Sequence, residues 1–96
     1  MIQRFCFVKL RDDEVATRGE LAEMLSAQLR SAGADAAVGL PADDSAARWD
    51  VSLVITAASL DAWHALAALP VMIGMFDELA QRAKVVNAWT FELVGA

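Results

Sequence analysis

The stretch "WDVSLVIT", positions 49 to 56, alternates without a break: Trp49, Val51, Leu53 and Ile55 fall on one side, and Asp50, Ser52, Val54 and Thr56 on the other. A period of two is the signature of a β-strand whose two faces meet different surroundings. Such a strand needs neighbours to take up its backbone hydrogen bonds and a layer to cover its apolar side. The remainder of the chain must supply both.

It does so in a definite order. "IQRFCFVKL", 2 to 10, reads as a strand that stops at the charged turn "RDDE". In "TRGE", Thr17 and Glu20 have the spacing at which each side chain can satisfy the other's free backbone N–H. Leu21, Met24, Leu25, Gln28, Leu29 and Ala32 then recur at helical spacing, and Gly33 offers a left-handed stop, which predicts a helix over 17–32. "ADAAVGL" is a short second strand ending at Pro41, and "PADDSAAR" is a loop. After the third strand, Ser59 can cap a helix carrying Leu60, Trp63, Leu66 and Ala67, which Pro70 interrupts and restarts. "AKVVNAWTFELV" closes the chain as a strand. The order β, α, β, β, broken α, β predicts an α+β, ferredoxin-like protein with a four-stranded antiparallel sheet and its helices on one face. With 96 residues, 1–96 is expected to be one domain.

Composition limits the partners. Hydrophobic residues make up 57% of the chain, above the roughly 45–50% of soluble domains, so some are expected to meet another chain. A net charge of −5 with no basic stripe argues against nucleic acid, whose binding rests on clustered Lys and Arg. No apolar run approaches the roughly 20 residues of a membrane helix, and "MIQRFCFVKLRDD" carries charges inside its apolar stretch, unlike a signal peptide. The expectation is a cytoplasmic protein without membrane contact. The single Cys6 has no intrachain disulfide partner.

Sorting the strands by parity suggests how the sheet is used. Phe5, Phe7, Trp49, Val51, Leu53, Ile55, Val85, Trp89, Phe91 and Leu93 form a bulky set, expected beneath the helices. The opposite set is Arg4, Cys6, Val8 and Leu10, then Asp50, Ser52, Val54 and Thr56, then Val86, Ala88, Thr90 and Glu92. It is too apolar to face water alone, so this side is expected to be covered by a second copy, giving a homodimer through open sheet faces.

Candidate chemical groups are few. His64 is the only histidine and a proton carrier in principle, but it points away from the Leu60 and Trp63 stripe and reads more simply as exposed. Arg4, with Asp50 and Glu92 as partners on the same face, can clamp a carboxylate or enolate oxygen or form an inert ion pair. Cys6, two residues away, is either a thiol activated by Arg4 or a small packed residue. Ser52, Thr56 and Thr90 can hydrogen-bond a ligand but lack a base. Arg4, Asp50, Ser52, Thr90 and Met72 are the expected ligand-binding residues. Asp12, Asp13, Glu14, Asp43 and Asp44 read as solvated turn acids rather than cation ligands. No phosphate loop, Cys-x-x-Cys pair or Ser/His/Asp pattern is present, so neither metal nor cofactor is expected.

"MIQRFCFVKL", "RWDVSLVI", "SLDAWHALAALP" and "VVNAWTFEL" together resemble the stress-responsive dimeric α+β barrel (Dabb) family over nearly the whole chain. The resemblance implies a ferredoxin-like protomer and a dimer formed through the open sheet faces. Members with cyclase-like chemistry carry a histidine in the first strand and a His-Pro-x-His motif with a tyrosine upstream. Here those positions hold Arg4, Leu69-Pro70-Val71-Met72 and Leu66. "LPVMIGMF" therefore reads as a helix entrance that packs on the sheet or lines a dry cavity, with Met72 and Met75 as adaptable fillers. The expected function is a non-catalytic homodimeric barrel protein, empty or holding a small apolar ligand. The alternative is a cofactor-independent cyclase, isomerase or monooxygenase acting on a small carbonyl or polyketide-like substrate through Arg4, with Cys6 or His64 moving the proton.

Overall fold

A computed structural model describes residues 1–95. The elements are β1 (Ile2–Leu10), α1 (Arg18–Ser31), β2 (Asp35–Gly39), β3 (Val51–Ala57), α2 (Leu60–Ala67), α3 (Pro70–Arg82) and β4 (Ala83–Glu92), with short 3-10 turns at Asp12–Thr17 and Asp44–Ala46. The sheet has the order β2-β3-β1-β4 with every neighbouring pair antiparallel. This is the expected ferredoxin-like arrangement, with the second helix divided into α2 and α3.

The local signals act where the chain needs them, with one exception. Ser59 Oγ accepts the Ala62 N–H at 3.1 Å and caps α2. Pro70 enters the first turn of α3, where its missing N–H costs nothing. Gly33 ends the α1 region at a φ of 74°, a conformation disfavoured for any residue with a Cβ. The exception is the Thr17 and Glu20 pair, which forms no reciprocal cap. The chain is already coiled by the 3-10 turn before it, so Thr17 Oγ1 instead donates to the Glu14 carbonyl at 3.1 Å and accepts from Arg82 Nη2 at 3.1 Å. Arg82 Nε also donates to Glu14 Oε2 at 3.0 Å, which fastens the end of α3 to the turn after β1.

The core lies between the helices and one side of the sheet. Leu21, Leu25 and Leu29 of α1 and Met72, Met75 and Leu79 of α3 pack onto Ile2, Cys6, Val8, Leu10, Val51, Leu53 and Ile55. The parity sorting is therefore right within β1, β4 and Val51–Ala57 but wrong between strands, and it also fails at Trp49, which precedes β3 and lies with Phe7 on the open side rather than with Val51 beneath the helices. Val51, Leu53 and Ile55 face the helices as expected. Phe5, Phe7, Val85, Trp89 and Phe91 do not, and the set of Arg4, Cys6, Val8 and Leu10 takes their place. Register decides the matter, because Cys6 stands opposite Leu53 and Ala88, whereas Phe7 stands opposite Ser52 and Asn87. The physical reason is packing. Six Leu and Met side chains descend from the helices and pack against aliphatic side chains and Cys6 of the sheet, a layer filled to interior density without the aromatic rings.

A candidate binding face on the open side of the sheet

The side of the sheet away from the helices carries Gln3, Phe5, Phe7 and Lys9 from β1, Ser52, Val54 and Thr56 from β3, and Val85, Asn87, Trp89 and Phe91 from β4. Trp49, just before β3, joins them. The rings touch in sequence. Phe7 lies 5.8 Å from Trp49 and 5.9 Å from Trp89 between ring centroids, and Phe5 meets Phe91 edge to face at 5.7 Å. These separations lie in the range where aromatic pairs attract. No helix covers them: Val85, Trp89 and Phe91 are 43%, 46% and 56% exposed. A contiguous aromatic surface of this kind marks a binding or assembly face.

Two hollows open beside Trp49. One, of about 110 Å³, is lined mainly by apolar groups of Phe7, Gly39, Leu40, Pro41, Ala46, Trp49 and Val51, with Ser52 at its wall. The other, of about 220 Å³, is lined by Lys9, Arg48, Trp49, Val85 and Asn87. The Arg48 guanidinium carbon sits 5.7 Å from the centre of the Trp49 ring, within cation–π reach.

Among the residues singled out from sequence, Ser52 alone lies at this face in contact with a hollow. Arg4 points to the helix side, where its Nη1 donates to Thr90 Oγ1 at 2.9 Å and its guanidinium carbon lies 5.5 Å from the centre of the Trp63 ring. The expected partners Asp50 and Glu92 do not reach it. Glu92 lies 3.5 Å from the amino terminus, and Asp50 is held at the opposite end of β1, where its carboxylate accepts the Leu10 N–H at 2.9 Å and pairs with Arg18 at 3.4 Å and Lys9 at 3.7 Å. Cys6 is buried beneath the helices, and that burial raises its thiol pKa against a smaller lowering effect of Arg4. This environment opposes thiolate formation. Met72 is a fully buried core residue, and His64 is exposed on α2. Leu69 is exposed and Leu66 packs against the core. Among the described residues, no three His, Cys, Asp or Glu side chains are grouped to hold a metal ion, and no helix is long and apolar enough to cross a membrane.

Sequence reasoning missed Lys9, Arg48 and Asn87. Gln3 and Lys9 share parity with Phe5 and Phe7, and Asn87 shares it with Trp89 and Phe91. A long polar side chain within a bulky set shows that the set reaches water. That signal was present in the chain.

No family model matches the sequence, and no curated protein matches it. Solved structures do resemble the fold. A dimeric protein of unknown function and ferredoxin-like fold from Bacteroides fragilis superposes with a TM-score of 0.77 at 19% identity, covering 96% of this chain and 95% of that one. A dimeric ferredoxin-like protein of unknown function from Thermobifida fusca gives 0.76 at 16% identity, over 96% and 90% of the two chains. A structure described as an antibiotic biosynthesis monooxygenase gives 0.73 at 10% identity, over 98% and 99%. At such identities the likeness concerns architecture, and the chain shares the ferredoxin-like α+β fold of these proteins.

Proposed function

We propose that this protein is a homodimeric α+β barrel of the Dabb type, a single domain whose open sheet faces close on each other, and that it is a non-catalytic binding protein for a small ligand held beside Trp49. The observation that carries this reading is the aromatic row of Trp49, Phe7 and Trp89 with the Phe5 and Phe91 pair, on a face that no helix covers. Four strands of this length present a face of roughly 20 by 30 Å, comparable with one side of a standard protein interface. The dimeric descriptions of the Bacteroides and Thermobifida proteins agree with such pairing. Native mass spectrometry and light scattering test the proposal together. A dimer with a reproducible extra mass supports both parts, a dimer that binds nothing removes the ligand, and a monomer at micromolar concentration overturns the assembly.

One observation favours an enzyme instead, of the cofactor-independent cyclase, isomerase or monooxygenase type. The half-buried Arg4 guanidinium, hydrogen-bonded to Thr90 and set over Trp63, has no carboxylate within 4.0 Å among the described residues, so its charge is not neutralised by an ion pair and can act on an oxyanion. Turnover of a small carbonyl or polyketide-like substrate that Arg4→Ala abolishes, with the dimer intact, would establish this second reading.

A further inference from the structure

The hollow of about 220 Å³ beside Trp49 brings cationic and apolar groups to one site. Its walls include the apolar Trp49 ring and Val85, and its remaining lining is Lys9, Arg48 and Asn87. The chain carries 13 acidic residues against 8 Lys and Arg, yet no carboxylate lines this hollow. Arg48 has no acidic side chain within 4.0 Å among the described residues, and its guanidinium is placed against Trp49 instead. Stacking on an aromatic ring restrains the guanidinium fork and lowers the entropy lost when it grips a carboxylate. Lys9 is only partly neutralised: Asp50 lies 3.7 Å away, and the same carboxylate also serves Arg18 and the Leu10 N–H. Asn87 adds an amide that can donate.

Resting on the ligand-binding reading above and extending it to the ligand's chemistry, we propose that this hollow binds a small amphipathic monocarboxylate, its carboxylate held by Arg48 and Lys9 and its apolar body laid on Trp49 and Val85. A neutral apolar molecule would desolvate the Arg48 guanidinium, which has no carboxylate within 4.0 Å among the described residues, and the Asn87 amide without giving either a partner. A fully polar anion would gain nothing from the indole wall. The carboxylate takes the bidentate hydrogen bonds to which a guanidinium is suited. All five lining residues belong to one protomer, and Lys9, Val85 and Asn87 lie on the open face proposed to pair, so ligand binding and oligomeric state are measured side by side.

Isothermal titration of the full chain with 3-phenylpropanoate, with 3-phenylpropanol and with inorganic phosphate tests the proposal, alongside light scattering. The wild-type protein is expected to bind the carboxylate about tenfold or more tightly than the alcohol, and to bind phosphate weakly. Arg48→Gln, at an exposed loop position, is expected to remove most of the preference for carboxylate while leaving the alcohol's affinity unchanged. Asn87→Leu gives a second reading of the polar wall and is expected to weaken the carboxylate more than the alcohol. Equal affinity for acid and alcohol, phosphate binding as tight as the carboxylate, a preference that survives Arg48→Gln, or no binding of any probe overturns the proposal. A monomer that keeps the Arg48-dependent preference defeats the dimer reading alone. A dimer without the preference defeats this inference alone.

Discussion

Asp50 Oδ2 accepts the backbone N–H of Leu10 at 2.9 Å and so extends the β1–β3 ladder by a side chain just beyond its last backbone pairing, Val8 with Val51. The Asp50 N–H itself donates to the Val8 carbonyl at 2.8 Å. Its carboxylate is almost fully buried, whereas Arg18 and Lys9 approach it from partly exposed positions. The loop before β3, the end of β1 and the start of α1 therefore meet on one residue.

Asp50→Asn keeps the shape but weakens the bond to Leu10 and removes both ion pairs. A loss of roughly 1–3 kcal/mol is expected, as for a buried hydrogen bond to a charged group. Asp50→Ala, which leaves the Leu10 N–H without its partner, is expected to cost more. Urea denaturation with unchanged m-value measures both.

Trp89→Glu places a charge in the middle of the open aromatic face, at a residue 46% exposed in the protomer. Dissociation of the proposed dimer is expected to become at least about thirtyfold easier, in line with central aromatic anchors of interfaces. Folding of the protomer should change by less than about 1 kcal/mol, because no core residue is touched. Analytical ultracentrifugation of a folded variant that dimerises as tightly as wild type would remove Trp89 from the interface.

Burial lifts the Cys6 thiol above its ordinary pKa. A raised folded-state value favours the protonated thiol in the native protein, so the contribution to stability is present below the unfolded thiol's pKa and is lost as pH rises through the alkaline range. The stability advantage of wild type over Cys6→Ala is expected to shrink between about pH 8 and pH 10. Native protein should also react with a thiol reagent far more slowly than unfolded protein. Rapid labelling under native conditions would contradict the burial.

Gly33→Ala puts a Cβ on a residue at φ 74°. Nothing lies within 4 Å of that added carbon, so any cost is conformational rather than steric packing. About 1 kcal/mol is expected, and thermal unfolding measures it. Gly74→Ala is the control: its φ is not positive, the site is equally open, and in the interior of α3 alanine should stabilise rather than destabilise.

Much of the architecture was written in local pattern. Alternation in "WDVSLVIT", the Ser59 cap, the Gly33 stop and the Pro70 restart are interactions within a few residues, so each can be read before any fold is known. The candidate site was legible only in pieces. Ser52 was named from its strand, but Arg48 gains its meaning from stacking on Trp49 beside Lys9 and Asn87, which come from three separate parts of the chain.

Alternation divides each strand into two faces but carries no information about which face of β1 joins which face of β3. That relation depends on register, here Cys6 with Leu53 and Phe7 with Ser52, and register depends on what the helices bring to the interface. Local hydrogen bonding and periodicity thus settle the order and type of the elements from sequence. The assignment of Cys6 to the core and of Phe5, Phe7, Trp89 and Phe91 to the open face follows from long-range packing, where the helix side chains meet the aliphatic side of each strand and leave the aromatic rings outside.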